Sequence, residues 1–309
     1  MSAASIADSV LFPAAASVDL ADRVPAAHFD LLASSGFYGL RDFDSLAPAV
    51  ETFAGGCLAT TLVWTQHRGP LAAAVGTPWF DPLSRGERRA GIALVGLRTP
   101  QPLRVRRSGG DFVLDGTVAF VTGWELVDLL MVAARDADDL VHFLFVDADP
   151  APTVTARRLD LVAAQASRTV TLSFSGHRVP AARLMSTEPF SDWTAADAAG
   201  SALNGFLALG VAARCCRLIG PSRLDADVAA ARVALTAAGR SGAGADIAEA
   251  RALSSAVAWR AAGVLTARTG SRAVLAGHHA QRLAREATLL LAFGTRPSIR
   301  DSLVTHLGA

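Results

Sequence analysis

Lysine is missing altogether: all 29 basic side chains are arginine. That excludes Schiff-base chemistry on a lysine and a Walker-type phosphate loop. Bidentate arginine contacts to an anionic cofactor or substrate stay open. Cysteine is scarce, and Cys57, Cys215 and Cys216 form neither a disulfide framework nor a metal spacing. The adjacent pair in a helical stretch reads as core filler, and a reducing, cytoplasmic location fits. Net charge is also lacking, at +1 for 29 basic and 28 acidic groups, so electrostatics give no case for nucleic acid or an anionic membrane. No uninterrupted apolar run approaches the roughly 20 residues needed to span a bilayer. The opening MSAASIADSVLFPAAAS has no basic stretch before its apolar residues, which argues against a signal peptide.

What is present is alanine. Hydrophobic residues make up 51% of 309, and mean hydropathy is +0.33. Runs of Ala carry that figure, which points to closely packed helices and buried subunit contacts. The length holds two or three subdomains with a large core.

Residues 1–80 read as helical. Residues 26–35 place Phe29, Leu31 and Leu32 near helical spacing, and Gly36 supplies a C-terminal stop. Ser45 is the expected cap of the next helix, whose Val50, Phe53, Ala54 and Cys57 share a face. Gly55-Gly56 weakens or splits it. A third helix over 60–75 carries Trp64, Gln66, His67 and Arg68. His67 next to Arg68 suits a ligand-facing role, but a lone histidine beside apolar residues is more often a satisfied structural group.

Residues 78–88 are rich in turn signals. From 90 to 184 the helical period gives way to short strands, expected at 91–97, 103–107, 111–114, 117–121, 129–134, 141–146, 153–156 and 169–179. Closely spaced Gly, Pro and Asp suggest a small all-β sandwich or barrel. Its centre is 109–135, a β-meander with turns expected at Gly109-Gly110 and Asp115-Gly116. Helices resume at 197–219, 224–238, 246–269, 272–293 and 297–307, an antiparallel bundle joined by short breaks.

Helices, then a β domain, then a bundle is an uncommon order, and four segments carry a resemblance. GGDFVLDGTVAFVTGWELVDLLMVAAR, LSFSGHRVPAARLM, HFDLLASSGFYGL and QRLAREATLLLAFGT resemble, in order and spacing, segments of the acyl-CoA dehydrogenase superfamily. The chain resembles a short, divergent member along nearly all its length. The resemblance implies an α+β multi-domain fold: an N-terminal helical domain (1–88), a middle antiparallel β-barrel or sandwich (89–190), and a C-terminal antiparallel helical bundle (191–309). It also implies FAD between the β domain and the bundle. In the family a glutamate takes the α-proton of an acyl-CoA thioester while a hydride leaves the β-carbon for the flavin.

Carried over residue by residue, Phe120, Val121 and Thr122, with Gly123 after them, match the aromatic–Ile–Thr segment that flanks the flavin. Phe120 stands where tryptophan is usual, and Trp124 is either a substitute ring or a core residue. Other segments depart. Between the first strands ALVGLRTPQPLRVRR lacks the family's acid and glycine–serine turn. Arg98, Arg104, Arg106 and Arg107 either meet phosphate or form an exposed basic edge strand. CCRLIGPSRLDADVAA lacks the arginine and Phe-Gly that contact the nucleotide. Ala292-Phe293 precede Gly294-Thr295 where one family branch has its glutamate. Arg217-Leu218-Ile219 stand where another has it. No catalytic residue is assigned; Glu249 and Glu286 are the remaining acids, and Glu286 beside Arg285 suits an ion pair better than a base.

The expected function is therefore flavin-linked oxidation of the CH–CH group of an acyl-CoA thioester, within fatty acid or lipid metabolism, with FAD weakened or lost. One alternative is an inactive, flavin-poor partner subunit of a heteromeric acyl-CoA dehydrogenase. Another is a flavin-dependent monooxygenase of the same fold, for which His67, His278 and His279 are candidates. Expected partners are an acyl-CoA substrate and either further copies or a flavin-bearing homologue, with no nucleic acid, no membrane and no metal.

Overall fold

The computed structural model describes residues 1–197 and 199–308. The N-terminal helices are α1 (Ala3–Ile6), which runs through a π-helical turn (Ala7–Leu11) into α2 (Phe12–Leu20), then α3 (Ala26–Ser34), α4 (Phe43–Gly56), α5 (Leu58–Gln66), α6 (Arg68–Ala73) and α7 (Phe80–Ser84). The cap of α4 is Asp42 and not Ser45: the Asp42 carboxylate accepts the Ser45 N–H at 2.8 Å, satisfying a first-turn donor. The single helix expected over 60–75 is broken at His67 into α5 and α6. Segments 3–20 and 190–219 are long and apolar enough on average to cross a membrane, by length and composition only, and each is interrupted by charged residues. The first buries Ile6, Leu11, Ala15 and Val18 against the core and leaves most of its surface exposed.

The strands are β1 (Ala90–Ala93), β2 (Arg104–Ser108), β3 (Asp111–Val121), β4 (Leu129–Arg135), β5 (Leu140–Asp147), β6 (Val154–Arg158), β7 (Val170–Val179) and β8 (Leu184–Pro189). They form one sheet in the order β6-β7-β3-β2-β4-β5-β8, with β1 beside β4. Pairing is antiparallel except that β4 runs parallel to β1 and touches β2 in parallel. In β4 the period of two sends Leu130, Val132 and Ala134 into the curl of the sheet. Leu129, Met131 and Ala133 face the opposite side, against α6, α7 and the helix that follows the sheet. Covered on both faces, β4 is apolar throughout.

Asp115-Gly116 is not a turn. β3 runs straight through it, the register with β7 shifts between Leu114 and Gly116, and the Asp115 carboxylate accepts the Gly176 N–H at 2.6 Å. The dipeptide makes an irregularity inside a long strand. The tight turn is Gly109-Gly110, at φ +61° and +92°, joining β2 to β3, so 109–135 holds two longer strands, β3 and β4, that are separated by β2 in the sheet, and is not a meander.

After the sheet come α8 (Phe190–Asp197), α9 (Ala202–Ile219), α10 (Leu224–Ser241), α11 (Gly244–Thr269), α12 (His279–Ala292) and α13 (Pro297–His306). The N-terminal helices and this bundle share one core. Small residues set how closely they approach. A Cβ on Gly210 of α9 would lie 2.2 Å from the Glu51 carbonyl oxygen of α4, and one on Gly55 2.9 Å from the Gly210 oxygen. Gly55-Gly56, at the C-terminal end of α4 and not its middle, is where the two backbones meet.

Candidate functional site

β3 ends in the four residues singled out for a cofactor. Val118 pairs with Leu172 and Val121 with Val170, and the shift between them is a bulge. Phe120 sits in that bulge at φ +57° with its side chain 61% exposed. A bulky residue at positive φ is strained, and bulges commonly re-aim a side chain. Val121 is buried in the curl of the sheet. Thr122 is buried, its hydroxyl 3.0 Å from that of Thr169, which is 2.9 Å from that of Ser167. Gly123, at φ +95°, donates its N–H to the Ser167 carbonyl at 2.9 Å. Trp124 packs in the sheet's core and is not a second exposed ring.

The segment after β1 folds into a 3-10 turn, Val95–Arg98. The Thr99 hydroxyl donates within the loop to the Gly96 carbonyl at 2.8 Å. Of the arginines proposed for phosphate, Arg104 and Arg106 are exposed on a strand inside the sheet order, not at its edge, and Arg107 lies over the Phe112 ring at 4.6 Å. Arg98 is engaged elsewhere. It donates to the Asp197 carboxylate at 3.0 and 2.6 Å and lies 5.5 Å from the Trp193 ring. Arg296 binds the same carboxylate at 2.8 Å and the Asp197 carbonyl at 2.6 Å. The end of α8 is thus pinned both to the β domain and to the bundle. Burial alone would raise the Asp197 carboxyl, but Arg98 and then Arg296 outweigh it and hold it below the usual carboxylate range.

Phe293 and Gly294 occupy the turn between α12 and α13, and Arg251 of α11 holds them. Its guanidinium donates to the Phe293 carbonyl at 3.0 Å and the Gly294 carbonyl at 2.8 Å. Arg251 is 3% exposed and has no carboxylate partner among the described residues; burial pulls its pKa down to about 10. A Cβ on Gly294 would meet the Asn204 side-chain nitrogen at 3.0 Å, so this turn lies against the start of α9. Beside it is a cavity of about 20 Å³, room for about one water. Trp64, Val50 and Leu203 line its apolar end, Arg68 and Asn204 its polar end, and no carboxylate lines it.

The histidines and remaining acids have structural partners. The Ala90 N–H donates to His67 Nδ1 at 3.1 Å, leaving Nε2 to donate to the Leu83 carbonyl at 3.0 Å. Burial pulls this imidazole down to about 4, so it is a neutral pin between α5, α7 and β1. His278 caps α12, and His279 stacks on Phe12 with centroids 4.3 Å apart. Glu286 pairs with Arg282 at 2.5 Å inside the core, whereas its neighbour Arg285 pairs with Asp19. Burial raises the Glu286 carboxyl. Glu249 is bound to His306 at 2.7 Å. All three cysteines are buried free thiols.

No family model matches the sequence. The chain is 27% identical over 210 residues to benzylmalonyl-CoA dehydrogenase of Aromatoleum aromaticum, a match covering 60% of this chain and 55% of that protein. It is 27% identical over 204 residues to the mitochondrial short-chain specific acyl-CoA dehydrogenase of Bos taurus, covering 56% and 49%. The chain thus matches about half the length of these relatives. The butyryl-CoA dehydrogenase structure from Megasphaera elsdenii superposes with a TM-score of 0.82 over 99% of this chain and 96% of that one, at 18% identity.

In sequence and in fold the chain is similar to acyl-CoA dehydrogenases.

On the flavin side that the resemblance implies, Phe120 is exposed and Gly123 makes a turn, while the Thr122 hydroxyl is engaged with Thr169. The pyrophosphate is not served. The loop after β1 offers no glycine-rich cradle, and the Arg98 guanidinium that reaches toward the bundle is taken by Asp197. The residues of this chain alone do not fit a whole FAD. Asp197, Arg251, Asn204 and Arg296 were not singled out from the sequence. Only Arg296 carried a signal, its place next to Gly294-Thr295.

Proposed function

We propose that this chain is an acyl-group-binding, flavin-poor subunit of an acyl-CoA dehydrogenase-like oxidoreductase, working beside a homologous subunit that carries FAD and the proton-abstracting carboxylate. Phe293 carries the argument. It stands before Gly294-Thr295, where a family branch has its glutamate, and Arg251 fixes its backbone at 3.0 Å. A phenyl ring accepts no proton, and the adjoining cavity has no acid in its lining. Dehydrogenation needs a carboxylate within hydrogen-bond reach of the acidified α-proton, so that group comes from outside this chain.

The chain's own residues do the remaining work of such a site. Trp64, Val50 and Leu203 supply an apolar wall beside Arg68 and Asn204, and Asn204 also meets the turn that Arg251 holds. Exposed Trp259 (42%), Val274 (80%) and Leu275 (58%) on α11 and the turn after it supply apolar surface for a subunit contact. The visible spectrum tests the reading. The chain purified alone is expected to be colourless, and co-expression with a flavin-bearing homologue is expected to give a yellow complex that oxidises an acyl-CoA.

A self-sufficient flavin-linked dehydrogenase is the second reading, and Phe120 favours it. An exposed ring held at φ +57° is a strained conformation of the kind that clusters at ligand contacts. Stoichiometric FAD on the isolated chain, with acyl-CoA oxidation, would decide for it. Flavin binding with oxygen uptake and no acyl-CoA oxidation would decide for a monooxygenase.

A further inference from the structure

A second cavity, of about 450 Å³, lies between the connection from α2 to α3 and one end of the sheet. Its size is that of a small-ligand site. Three strand ends lie side by side there. The Asp128 N–H, just before β4, donates to the Arg89 carbonyl at 2.8 Å, and the Asp128 carbonyl accepts the Ala148 N–H at 3.0 Å. Arg88 and Asp149 therefore stand on opposite sides of the β4 strand end, their backbones two strand spacings, or roughly 10 Å, apart. Buried Val24 and Phe29 and half-buried Leu126 and Val127 give the cavity its apolar surface. Its charges balance: Arg23, Arg88 and Arg89 line it with Glu125, Asp128 and Asp149. Arg23 is paired with Glu125 at 3.4 Å and Arg89 with Asp30 at 2.5 Å. The Asp128 carboxylate accepts the Arg89 N–H at 2.7 Å. The Arg88 and Asp149 side chains have no partner among the described residues. One guanidinium and one carboxylate are thus left over, one on each side of an apolar strand end. A ligand of a single sign would satisfy one and oppose the other, whereas a zwitterion satisfies both.

We propose that this cavity binds a short apolar peptide in its free zwitterionic form. The ammonium meets Asp149 beside Asp128, and the carboxylate meets the planar fork of Arg88. The peptide's side chains lie against Val24, Phe29, Leu126 and Val127. Two extended residues span about 7 Å, and the Arg88 side chain covers the rest of the gap. A single amino acid carries both charges on one carbon and reaches only one side. The site is independent of the acyl-binding reading above.

Calorimetric titration of the full chain with leucyl-leucine, N-acetyl-leucyl-leucine, leucyl-leucinamide and free leucine tests it. Capping either end of the dipeptide is expected to weaken binding about fivefold, the upper end for one ion pair in reach of water. Free leucine is expected to bind no better than the capped peptides. Asp149→Asn is expected to erase the effect of acetylation and keep that of amidation, and Arg88→Gln to do the reverse. Neither side chain makes a bond within the chain, so both variants keep the fold. Asp128 is left in place because its carboxylate also holds the Arg89 N–H. Equal binding of free and capped dipeptides, or the same response from both variants, overturns the proposal. Binding of none of these ligands overturns it as well. Leucine binding as tightly as leucyl-leucine overturns the assignment to a peptide. Binding of inorganic phosphate that Arg88→Gln abolishes and Asp149→Asn leaves unchanged, with no binding of the dipeptide, makes this an anion site and also overturns it.

Discussion

Two residues settle how the helical core is built. Gly210 is required by distance: a Cβ there falls 2.2 Å from the Glu51 carbonyl oxygen. In an open helix Gly→Ala gains about 1 kcal/mol, but here the clash decides the sign, and Gly210→Ala is expected to lose about 3 kcal/mol in urea unfolding. A stabilised Gly210→Ala would mean that α4 and α9 do not cross at this point. His67 sets an acid limit. Its folded pKa, about 4, lies below the roughly 6.5 of an unfolded histidine, so the folded chain favours the neutral ring. That stabilisation is complete above about pH 6.5 and is lost as pH falls toward 4, on the order of 3 kcal/mol. His67→Gln, which can both donate to Leu83 and accept from Ala90, is expected to flatten the stability profile across that window. His279, also pulled to about 4, leaves a residual slope. An unchanged slope in His67→Gln would contradict the pin.

Elements show how much was readable beforehand. The strands β4 and β5 were plain in the sequence as short continuous apolar runs, the mark of strands covered on both faces. Asp115-Gly116 misled, because a dipeptide that favours a hairpin also suits a bulge, and only the partner strand β7 decides between them. The break at His67 was invisible because its two hydrogen bonds go to Leu83 and Ala90, residues distant in the chain. The pinning of α8 was equally hidden, since Arg98 and Arg296 each lie 99 positions from Asp197. Family likeness drew attention to Phe120–Gly123, but nothing local announced that the Thr122 hydroxyl would meet Thr169. At the bulge, Phe120→Asn places a residue tolerant of positive φ where a strained ring now stands. With the ring 61% exposed, little burial is lost, and the variant is expected to gain about 0.5–1 kcal/mol. A loss larger than that would show that the ring packs against something that fixes its conformation.

The whole molecule has the architecture of the acyl-CoA dehydrogenase structures. The N-terminal helices and the bundle share a core, the sheet is buried on both faces along β4, and α8 links sheet to bundle through a single aspartate. The turn that carries a glutamate in one family branch carries Phe293, and the loop after β1 cradles no phosphate. Under the proposed reading such a chain keeps a place for an acyl group and relies on a companion for the redox step. The most direct measurement is the visible absorption spectrum of the chain purified alone, set against that of the chain co-purified with a flavin-bearing homologue, each followed by acyl-CoA addition. A colourless chain alone, and a yellow complex bleached by the thioester, is the predicted result. A yellow chain alone, carrying one FAD and bleached by acyl-CoA without any companion, would contradict it.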